Sequence, residues 1–284
     1  MQLTARDKTL FRLLCRHNLL STKQIQHRVF DGLELTTVMR RLRKLQAGGF
    51  LVRLGMLPCR TWVWGCSTLA NELFSGFASS SRTNLHTMNH DVQLAELRFL
   101  FEDLVPIDDW FDIRHIVHDA LPPGLKRDFC RDSYDFKKGE AALTPDALFI
   151  GRKKNVQFNC ALELELSIKA SNRYRKILNH YSYKRDLKTI LYVVENDHIR
   201  HAIESNARLY IRKDEYNIYT VRRQDLFKAR DNAVLQNTRD GSLVRLFEIF
   251  DCRTRTDAHQ AAQPVDKQVS KSGFGFEVPK ASDW

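Results

Sequence analysis

The stretch ELTTVMRRLRKLQAGGFLVRL, residues 34–54, decides the fold of the N-terminal part of the chain. Its first fourteen residues repeat apolar side chains at the spacing of an α-helix, and basic side chains fill the opposite side. The apolar positions are Leu35, Val38, Met39, Leu42 and Leu45. Gly48 and Gly49 favour the end of this helix, and Phe50-Leu-Val-Arg-Leu has the composition of a strand. The stretch therefore predicts an amphipathic helix followed closely by a strand.

Two shorter helices are predicted upstream of this stretch, and a second strand is predicted downstream. Thr4 and Ser21 are good helix N-caps, and the second helix ends near Phe30. Thr61-Trp-Val-Trp-Gly reads as a strand that pairs with the first one around a turn containing Gly55 and Pro58. Three helices followed by a hairpin make a winged helix-turn-helix over residues 4–64. We therefore expect a DNA-binding domain in residues 1–75.

The distribution of charge agrees with this expectation. The chain of 284 residues has a formal net charge of +11 and a pI near 9.5. Residues 1–75 hold twelve Lys and Arg against four Asp and Glu, so +8 of the net charge lies there. Such a positive field favours an anionic partner through neutralisation of phosphates and release of counterions. The predicted partner is double-stranded DNA.

Polar side chains of the third helix and of the hairpin are the predicted DNA contacts, because such a helix enters the major groove. They are Thr36, Thr37, Arg40, Arg41, Arg43 and Lys44 on the helix, with Arg53 and Arg60 on the hairpin. A basic face that is merely solvated is the alternative interpretation. A homodimer that reads a palindromic site also stays open.

A second, α/β domain is predicted over residues 84–251. The Ser-rich stretch 75–83 marks the boundary, and residues 252–284 lack apolar periodicity, so we expect a largely disordered tail. Strands and helices alternate between them, which is typical of an α/β fold. Helices are predicted at 84–104 and 170–185, and strands at 112–118, 143–150, 155–166 and 189–194.

Acidic side chains interrupt two apolar strands of this domain. The segments are Thr144-Pro-Asp-Ala-Leu-Phe-Ile and Cys160-Ala-Leu-Glu-Leu-Glu-Leu-Ser-Ile-Lys. Glu163 and Glu165 project from one face because side chains alternate along a strand. If the strand of Asp146 lies alongside, three carboxylates converge and suit Mg²⁺ or Mn²⁺. The alternative is an edge strand whose glutamates face solvent and pair with Lys or Arg.

These two segments resemble the core of the PD-(D/E)XK nucleases, a restriction-endonuclease-like α/β fold. That core has Pro-Asp at the start of one strand and Glu-x-Lys on the next. Pro145-Asp146 matches the first part and Glu163 the second, while Glu165 stands where the lysine is usual. Some nucleases of this fold have an acid there, and others take a lysine from the following helix. Lys169, or else Lys176, is the candidate here.

The order of the motifs resembles the replication-relaxation family, which includes plasmid mobilisation relaxases of the MobC class. A winged helix comes first, then Asn89-His90-Asp91, then Pro-Asp-Ala and Glu-Leu-Glu-Leu-Ser-x-Lys-x-x-x-Arg-Tyr. The resemblance covers residues 4–225 and implies metal-dependent nicking of DNA at a transfer origin during conjugation. It implies metal ligation by Asp146 and Glu163, with Glu165 as a further ligand or base. Lys169 would stabilise the scissile phosphate.

Three further residues are accessory candidates. Glu96 is an acid on the helix that begins near residue 84, and His90 opens that helix, although a His there more often caps or packs. Arg173 could contact DNA. Tyr174 and Tyr181, with Ile177 between them, have the spacing of a buried helix face.

The sequence thus predicts a metal-dependent DNA endonuclease, a nickase or relaxase, that works with other mobilisation or replication proteins. A non-catalytic regulator of transcription or plasmid replication is the main alternative, and a repair or restriction nuclease is another. No apolar run is long enough to span a membrane, so the expected location is the cytoplasm. The six cysteines include no Cys-x-x-Cys pair, and neither disulfides nor a zinc site are expected.

Overall fold

The structure, a computed structural model, is of the mixed α/β class. It describes residues 2–75, 85–107, 109–112, 121–122, 125, 129, 143–184, 186–210 and 216–252. The predicted strand beyond residue 112, most of the predicted domain boundary and the predicted tail from residue 253 lie outside these residues. No helix in the described part of the chain is long and apolar enough to cross a membrane.

The N-terminal region has four helices and a small antiparallel sheet with the strand order β1-β3-β2. Its elements are α1 (Ala5–His17), β1 (Leu20–Ser21), α2 (Thr22–Val29), α3 (Leu35–Ala47), β2 (Leu51–Met56), β3 (Trp62–Cys66) and α4 (Thr68–Ser75).

The three predicted helices and the hairpin are present, whereas β1 and α4 were not predicted. Thr4 and Ser21 cap α1 and α2 through capping boxes, and α3 ends where Gly49 adopts a φ of +77°. The hairpin turn contains Pro58, as predicted. Gly55 was expected in that turn but lies within β2, where the pairing with β3 shifts register.

The long helix α5 (Leu85–Leu104) joins the two halves of the molecule. Ala95 and Phe99 belong to the buried core of the N-terminal region, together with Leu42 of α3 and Trp64 of β3. Other side chains of the same helix, including Phe101, belong to the core beneath the large sheet. The two cores therefore share one helix.

Beyond α5 the described chain forms a seven-stranded sheet in the order β10-β9-β8-β7-β6-β5-β4. The strands β4, β5 and β6 are antiparallel, β6, β7 and β8 are parallel, and β8, β9 and β10 are antiparallel. Its elements are β4 (Trp110–Asp112), β5 (Ala147–Lys153), β6 (Val156–Glu165), α6 (Ser171–Tyr181), β7 (Leu187–Val194), α7 (Asp197–Tyr210), β8 (Asn217–Arg222), α8 (Arg223–Ala229), a 3₁₀ turn (Arg230–Asn232), β9 (Val234–Asn237), β10 (Leu243–Arg245) and α9 (Leu246–Ile249).

Each face of the sheet has its own apolar core. Leu162 and Leu164 of β6 pack with α5, whereas Ala161 of the same strand packs with α6 and α7. The alternation predicted for this strand is thus confirmed. It places the odd-numbered positions of β6, and with them Glu163 and Glu165, on the side of α6.

Candidate functional site

The three predicted carboxylates lie at one edge of the sheet, where β5 begins and β6 ends. Ala147 pairs with Leu162, so Asp146, just before β5, is level with the last residues of β6. The charge of Asp146 raises the pKa of both Glu163 and Glu165, although burial contributes more in each case. The three acids therefore lie at one edge of the sheet, close enough for their charges to interact.

Asp146 is held from two sides. Its Oδ2 accepts a hydrogen bond from the backbone N–H of Leu164 at 2.7 Å, which fastens the start of β5 to the end of β6. The same oxygen lies 3.2 Å from Nε2 of His90. The Asp146 side chain remains 24% exposed, so this carboxylate is the one that reaches solvent.

His90 enters the cluster from α5, the helix that joins the two halves of the protein. Its Nε2 also lies 3.1 Å from the carbonyl oxygen of Leu164, and its Nδ1 lies 3.5 Å from Asp91. Burial alone would lower the pKa of His90, but Asp146 and Asp91 outweigh it and raise the pKa to about 10. The imidazole is therefore a cation at neutral pH that neutralises Asp146.

Glu163 is buried, with only 5% of the residue exposed. It accepts a hydrogen bond from the hydroxyl of Tyr181, which α6 brings down onto the sheet. Burial, followed by the charge of Asp146, raises the pKa of Glu163 well above its usual value. A carboxyl group in such a place carries its charge only at a cost unless a cation approaches.

Glu165 has a cation beside it. Lys169 lies in the loop between β6 and α6, and its ammonium forms an ion pair with the Glu165 carboxylate. Burial raises the pKa of Glu165 and Lys169 opposes that rise. The sequence predicted Lys169 as the substitute for the usual lysine of Glu-x-Lys, and the structure brings it to the cluster, although from a loop and not from the helix.

Two further tyrosines line the same face. The hydroxyl of Tyr174 accepts a hydrogen bond from the backbone N–H of Lys169 at 3.1 Å and so holds the loop that carries this lysine. Tyr192 of β7 is the direct cross-strand neighbour of Glu163 and is fully buried. Both residues have a pKa that burial raises above the usual value.

The donor set has the chemistry of a site for a hard divalent cation, because carboxylate oxygens are the ligands that Mg²⁺ and Mn²⁺ prefer. In the side-chain positions of this structure, the described residues contain no group of three His, Cys, Asp or Glu that surrounds one point as metal ligands do. Each carboxylate is turned towards a donor of the protein: His90, Tyr181 or Lys169. To hold a divalent cation, Asp146, Glu163 and Glu165 would have to turn away from these donors.

The remaining candidates lie outside the cluster. Glu96 is exposed on α5, where its charge raises the pKa of Arg223 after the larger effect of the Arg223–Glu195 pair. Arg173 is half-buried on α6, and Lys176 is exposed on the same helix. Among His90, Glu96 and Arg173, a contact with a carboxylate of the cluster is described for His90.

The predicted DNA contacts of the N-terminal region fall into two groups. Most of them are exposed, and Arg41 is not. The exposed ones are Thr36, Arg40, Arg43 and Lys44 on α3, with Arg53 and Arg60 on the hairpin; Thr37 is half-buried. Arg53 lies over the ring of Trp62, 4.1 Å from its centroid, which fixes the guanidinium on the hairpin surface.

Arg41 forms an ion pair with Asp7 inside the N-terminal region. Its Nε donates to Asp7 at 2.9 Å, and a second nitrogen contacts the other oxygen of that fully buried carboxylate. Burial would raise the pKa of Asp7, but Arg41 and Thr4 hold it below its usual value. Arg41 thus fastens α3 to the start of α1, and its predicted contact with DNA stays a prediction.

Sequence reasoning missed the parts that Tyr181 and Tyr192 play in the cluster. Tyr181 was predicted to be buried and is, but its helical spacing does not show that its hydroxyl reaches Glu163. Tyr192 lies in a predicted strand, and only the register of β6 against β7 places it beside Glu163. The sequence does not show the register of β6 against β7, which places Tyr192 beside Glu163.

Comparison with known proteins adds no relative. The chain matches no protein-family model, no curated protein and no solved structure. The function therefore has to be argued from the residues and their geometry.

Proposed function

We propose that the N-terminal region is a winged helix-turn-helix that binds duplex DNA. The succession α1-β1-α2-α3-β2-β3, with β1 and β2 both paired to β3, supports this assignment. So do the exposed positions Thr36, Arg40 and Arg43, which lie four and three residues apart and form one stripe along α3. In this role α3 enters the major groove, and the β2–β3 hairpin contacts the backbone.

The second half is proposed to be a PD-(D/E)XK-type nuclease domain that cuts the DNA. The described elements α5, β4–β5–β6, α6 and β7 form a helix, an antiparallel three-strand meander, a crossover helix and a parallel strand, which supports that fold. The observation that carries the proposal is the convergence of Asp146, Glu163 and Glu165 with Lys169 at one edge of this sheet.

The reaction is hydrolysis of one phosphodiester bond, in which water attacks the phosphorus and one ester oxygen leaves as a hydroxyl, so that the duplex is nicked. Asp146, Glu163 and Glu165 would hold Mg²⁺ or Mn²⁺, which supplies an activated water and stabilises charge on the phosphate. Lys169 remains 36% exposed and can contribute its positive charge to the scissile phosphate. His90 orients Asp146, because its Nε2 contacts both that carboxylate and the Leu164 carbonyl.

The biological substrate follows from the resemblance to the replication-relaxation family. We propose a relaxase of plasmid mobilisation that nicks a transfer origin, with the winged helix finding the site. Other mobilisation or replication proteins are the expected partners at that origin. The Glu163–Tyr181 and Glu165–Lys169 contacts keep the acids in place before DNA and cation bind.

A nicking assay on the chain's own binding site tests this function. The site is first selected from random duplex DNA by the full-length protein and is then cloned into a supercoiled plasmid. With Mg²⁺ or Mn²⁺, the wild type is expected to produce open circles, and Asp146→Asn to be slower by about 100-fold or more. Asp240→Asn, an exposed acid in the turn between β9 and β10, is the matched control and should nick like the wild type.

A non-catalytic regulator is the second candidate, and one observation favours it. Each carboxylate of the cluster already has a partner within the protein, so the acids can serve as a purely structural network. The same assay separates the two candidates. A wild type that binds its selected site tightly but leaves the plasmid supercoiled in both metals would identify the regulator and reject the nuclease.

A further inference from the structure

Residues 167–184, which include α6, form a strongly basic segment of the second half of the chain. They contain no Asp or Glu and five cations: Lys169, Arg173, Arg175, Lys176 and Lys184. The segment therefore has a net charge of +5. All residues beyond 75 together have a net charge of only +3, from 33 Lys and Arg against 30 Asp and Glu. The second half is nearly neutral on average but contains a concentrated positive region.

The exposed side of α6 presents part of this charge as one stripe. Side chains three, four and seven residues apart lie on the same side of a helix. The stripe consists of four exposed residues at this spacing, Asn172, Arg175, Lys176 and Asn179. The buried side of the helix carries Tyr174, Ile177, Leu178 and Tyr181. Arg173, the DNA contact that the sequence predicted on this helix, is half-buried and lies off the stripe.

The side chains of the stripe are of the types that bind a nucleic-acid backbone. Arg, Lys and Asn all donate hydrogen bonds to phosphate oxygens in protein–DNA complexes, and so does Tyr. Tyr183, just beyond the end of α6, is 79% exposed and adds a hydroxyl to this surface. The alternative is a charged face that is merely solvated.

The stripe begins beside the acidic edge of the large sheet. The loop before α6 carries Lys169, which pairs with Glu165, and the backbone N–H of Lys169 donates to the hydroxyl of Tyr174 in the first turn of the helix. The N-terminal end of α6 therefore lies at this edge. Carboxylates repel phosphates, so a DNA strand that approaches the edge needs cations close by.

We infer that the exposed stripe of α6 is a further DNA-binding surface, which contacts phosphates of the duplex that α3 binds. Charge complementarity selects this partner, because the stripe combines two cations with amide donors and contains no acid. At about 1.5 Å per residue, α6 is about 16 Å long, or about five base pairs of duplex, and can reach more than one phosphate. The inference rests on the proposed binding of duplex DNA and requires no cation at the acidic edge.

The affinity of the full-length chain for DNA, measured by fluorescence anisotropy over a range of salt concentrations, tests this surface. The probes are the selected duplex and an unrelated duplex of the same length. Arg175→Gln/Lys176→Gln should bind both about tenfold more weakly than the wild type, because phosphate contacts carry no sequence information. The slope of log K against log salt should fall by about 1.8, which corresponds to two lost phosphate contacts.

Lys154→Gln/Lys228→Gln is the matched control. It removes the same charge from two exposed lysines, one in the turn between β5 and β6 and one on α8. Its affinity should stay within about twofold of the wild type. Both double variants should melt within about 3 °C of the wild type, since all four side chains are exposed, so a difference in affinity reports the surface and not the fold.

The outcomes separate this inference from the function on which it rests. If the α6 variant binds both duplexes like the wild type, or if the control loses as much affinity as the α6 variant, α6 is not a DNA-binding surface, and the assignment of α3 stands. If the wild type binds neither duplex, the proposed DNA binding fails and this inference fails with it. A loss confined to the α6 variant, equal on both duplexes, supports the inference.

Discussion

The exposed face of α3 and the acidic edge of the large sheet hold opposite charges in opposite surroundings. Arg40 and Arg43 lie in solvent, where water stabilises their charges. Such charges attract phosphates over a Debye length of about 8 to 10 Å. Glu163 and Glu165 are buried, where a charge is tolerated only with partners. Under the proposed function, α3 would bind DNA without rearrangement, whereas the acidic edge would exchange its internal contacts before it holds a cation.

The same contrast appears within α3 itself. Arg40 and Arg41 are neighbours in sequence, but only Arg40 is exposed, whereas Arg41 pairs with the fully buried Asp7. Arg41 therefore stabilises the fold, whereas Arg40 is accessible for the proposed contact with DNA. Solvent exposure, and not charge, distinguishes the two roles.

The helix α5 connects the two regions physically. Gln24 of α2 donates a hydrogen bond to the carbonyl of Val92 at 2.8 Å, two residues from His90, and Arg28 of α2 pairs with Asp103 near the other end of the helix. Within the described residues, the N-terminal region therefore contacts α5 close to His90, and His90 itself contacts Asp146. Under the proposed function, the region that binds DNA and the region that cuts it are thus joined through one helix.

The largest effect on stability is expected at Lys169. This residue joins the two surroundings, because its partly exposed ammonium neutralises the buried carboxylate of Glu165. Lys169→Met keeps the length of the side chain but leaves the buried Glu165 without its cation. The free energy of unfolding should fall by about 2 to 4 kcal/mol, less than for a fully buried pair because Lys169 is partly in solvent. Urea denaturation in EDTA measures it.

Lys176→Met is the matched control, since Lys176 is exposed on α6. Its free energy of unfolding should stay within about 0.5 kcal/mol of the wild type. Equal effects of the two substitutions would show that Glu165 does not depend on Lys169.

The pair Arg40 and Arg41 is expected to give opposite results in two measurements. Arg41→Ala leaves Asp7 buried without its partner and should lower the free energy of unfolding by about 2 to 3 kcal/mol. Arg40→Ala should leave it unchanged, but should weaken binding to the selected DNA and reduce the slope of log K against log salt by about 0.9. A loss of stability in Arg40→Ala, with unaltered DNA binding, would contradict the assignment of α3.

The smallest expected effect is a dependence of stability on pH. His90 has a pKa of about 10 in the folded protein, above the value of about 6.5 expected when it is unfolded. Its contribution is therefore complete below about pH 6.5 and is lost as pH rises towards 10. In EDTA, the wild type should lose about 1 to 2 kcal/mol more than His90→Gln over this range, after allowance for solvent at the partly exposed ring. Parallel curves for the two proteins would mean that His90 is not charged at neutral pH.

Local patterns predicted much of the fold. The periodicity of α3, the N-caps Thr4 and Ser21 and the alternation along β6 each depend on residues close in sequence, so the sequence alone was sufficient. The long helix α5 was predicted within one residue of its bounds, but its two apolar faces belong to different cores, a division that depends on tertiary packing.

The candidate site was predictable only in part. Asp146, Glu163, Glu165 and Lys169 stand out because acids interrupt apolar strands, and these four residues do come together. Two partners that hold them come from distant segments, His90 from α5 and Tyr181 from α6. Which distant side chain reaches a carboxylate depends on strand register and helix docking, which sequence patterns do not contain.

The most direct test of the central claim, that the acidic edge of the sheet is a metal-dependent nuclease centre, is a crystal structure of the full-length chain soaked in Mn²⁺, with anomalous diffraction. An anomalous peak bound by Asp146 and Glu163, with Glu163 turned away from Tyr181, is expected. An acidic edge without such a peak at saturating Mn²⁺, with Glu163 still on Tyr181 and Glu165 still on Lys169, would contradict it and leave a DNA-binding regulator.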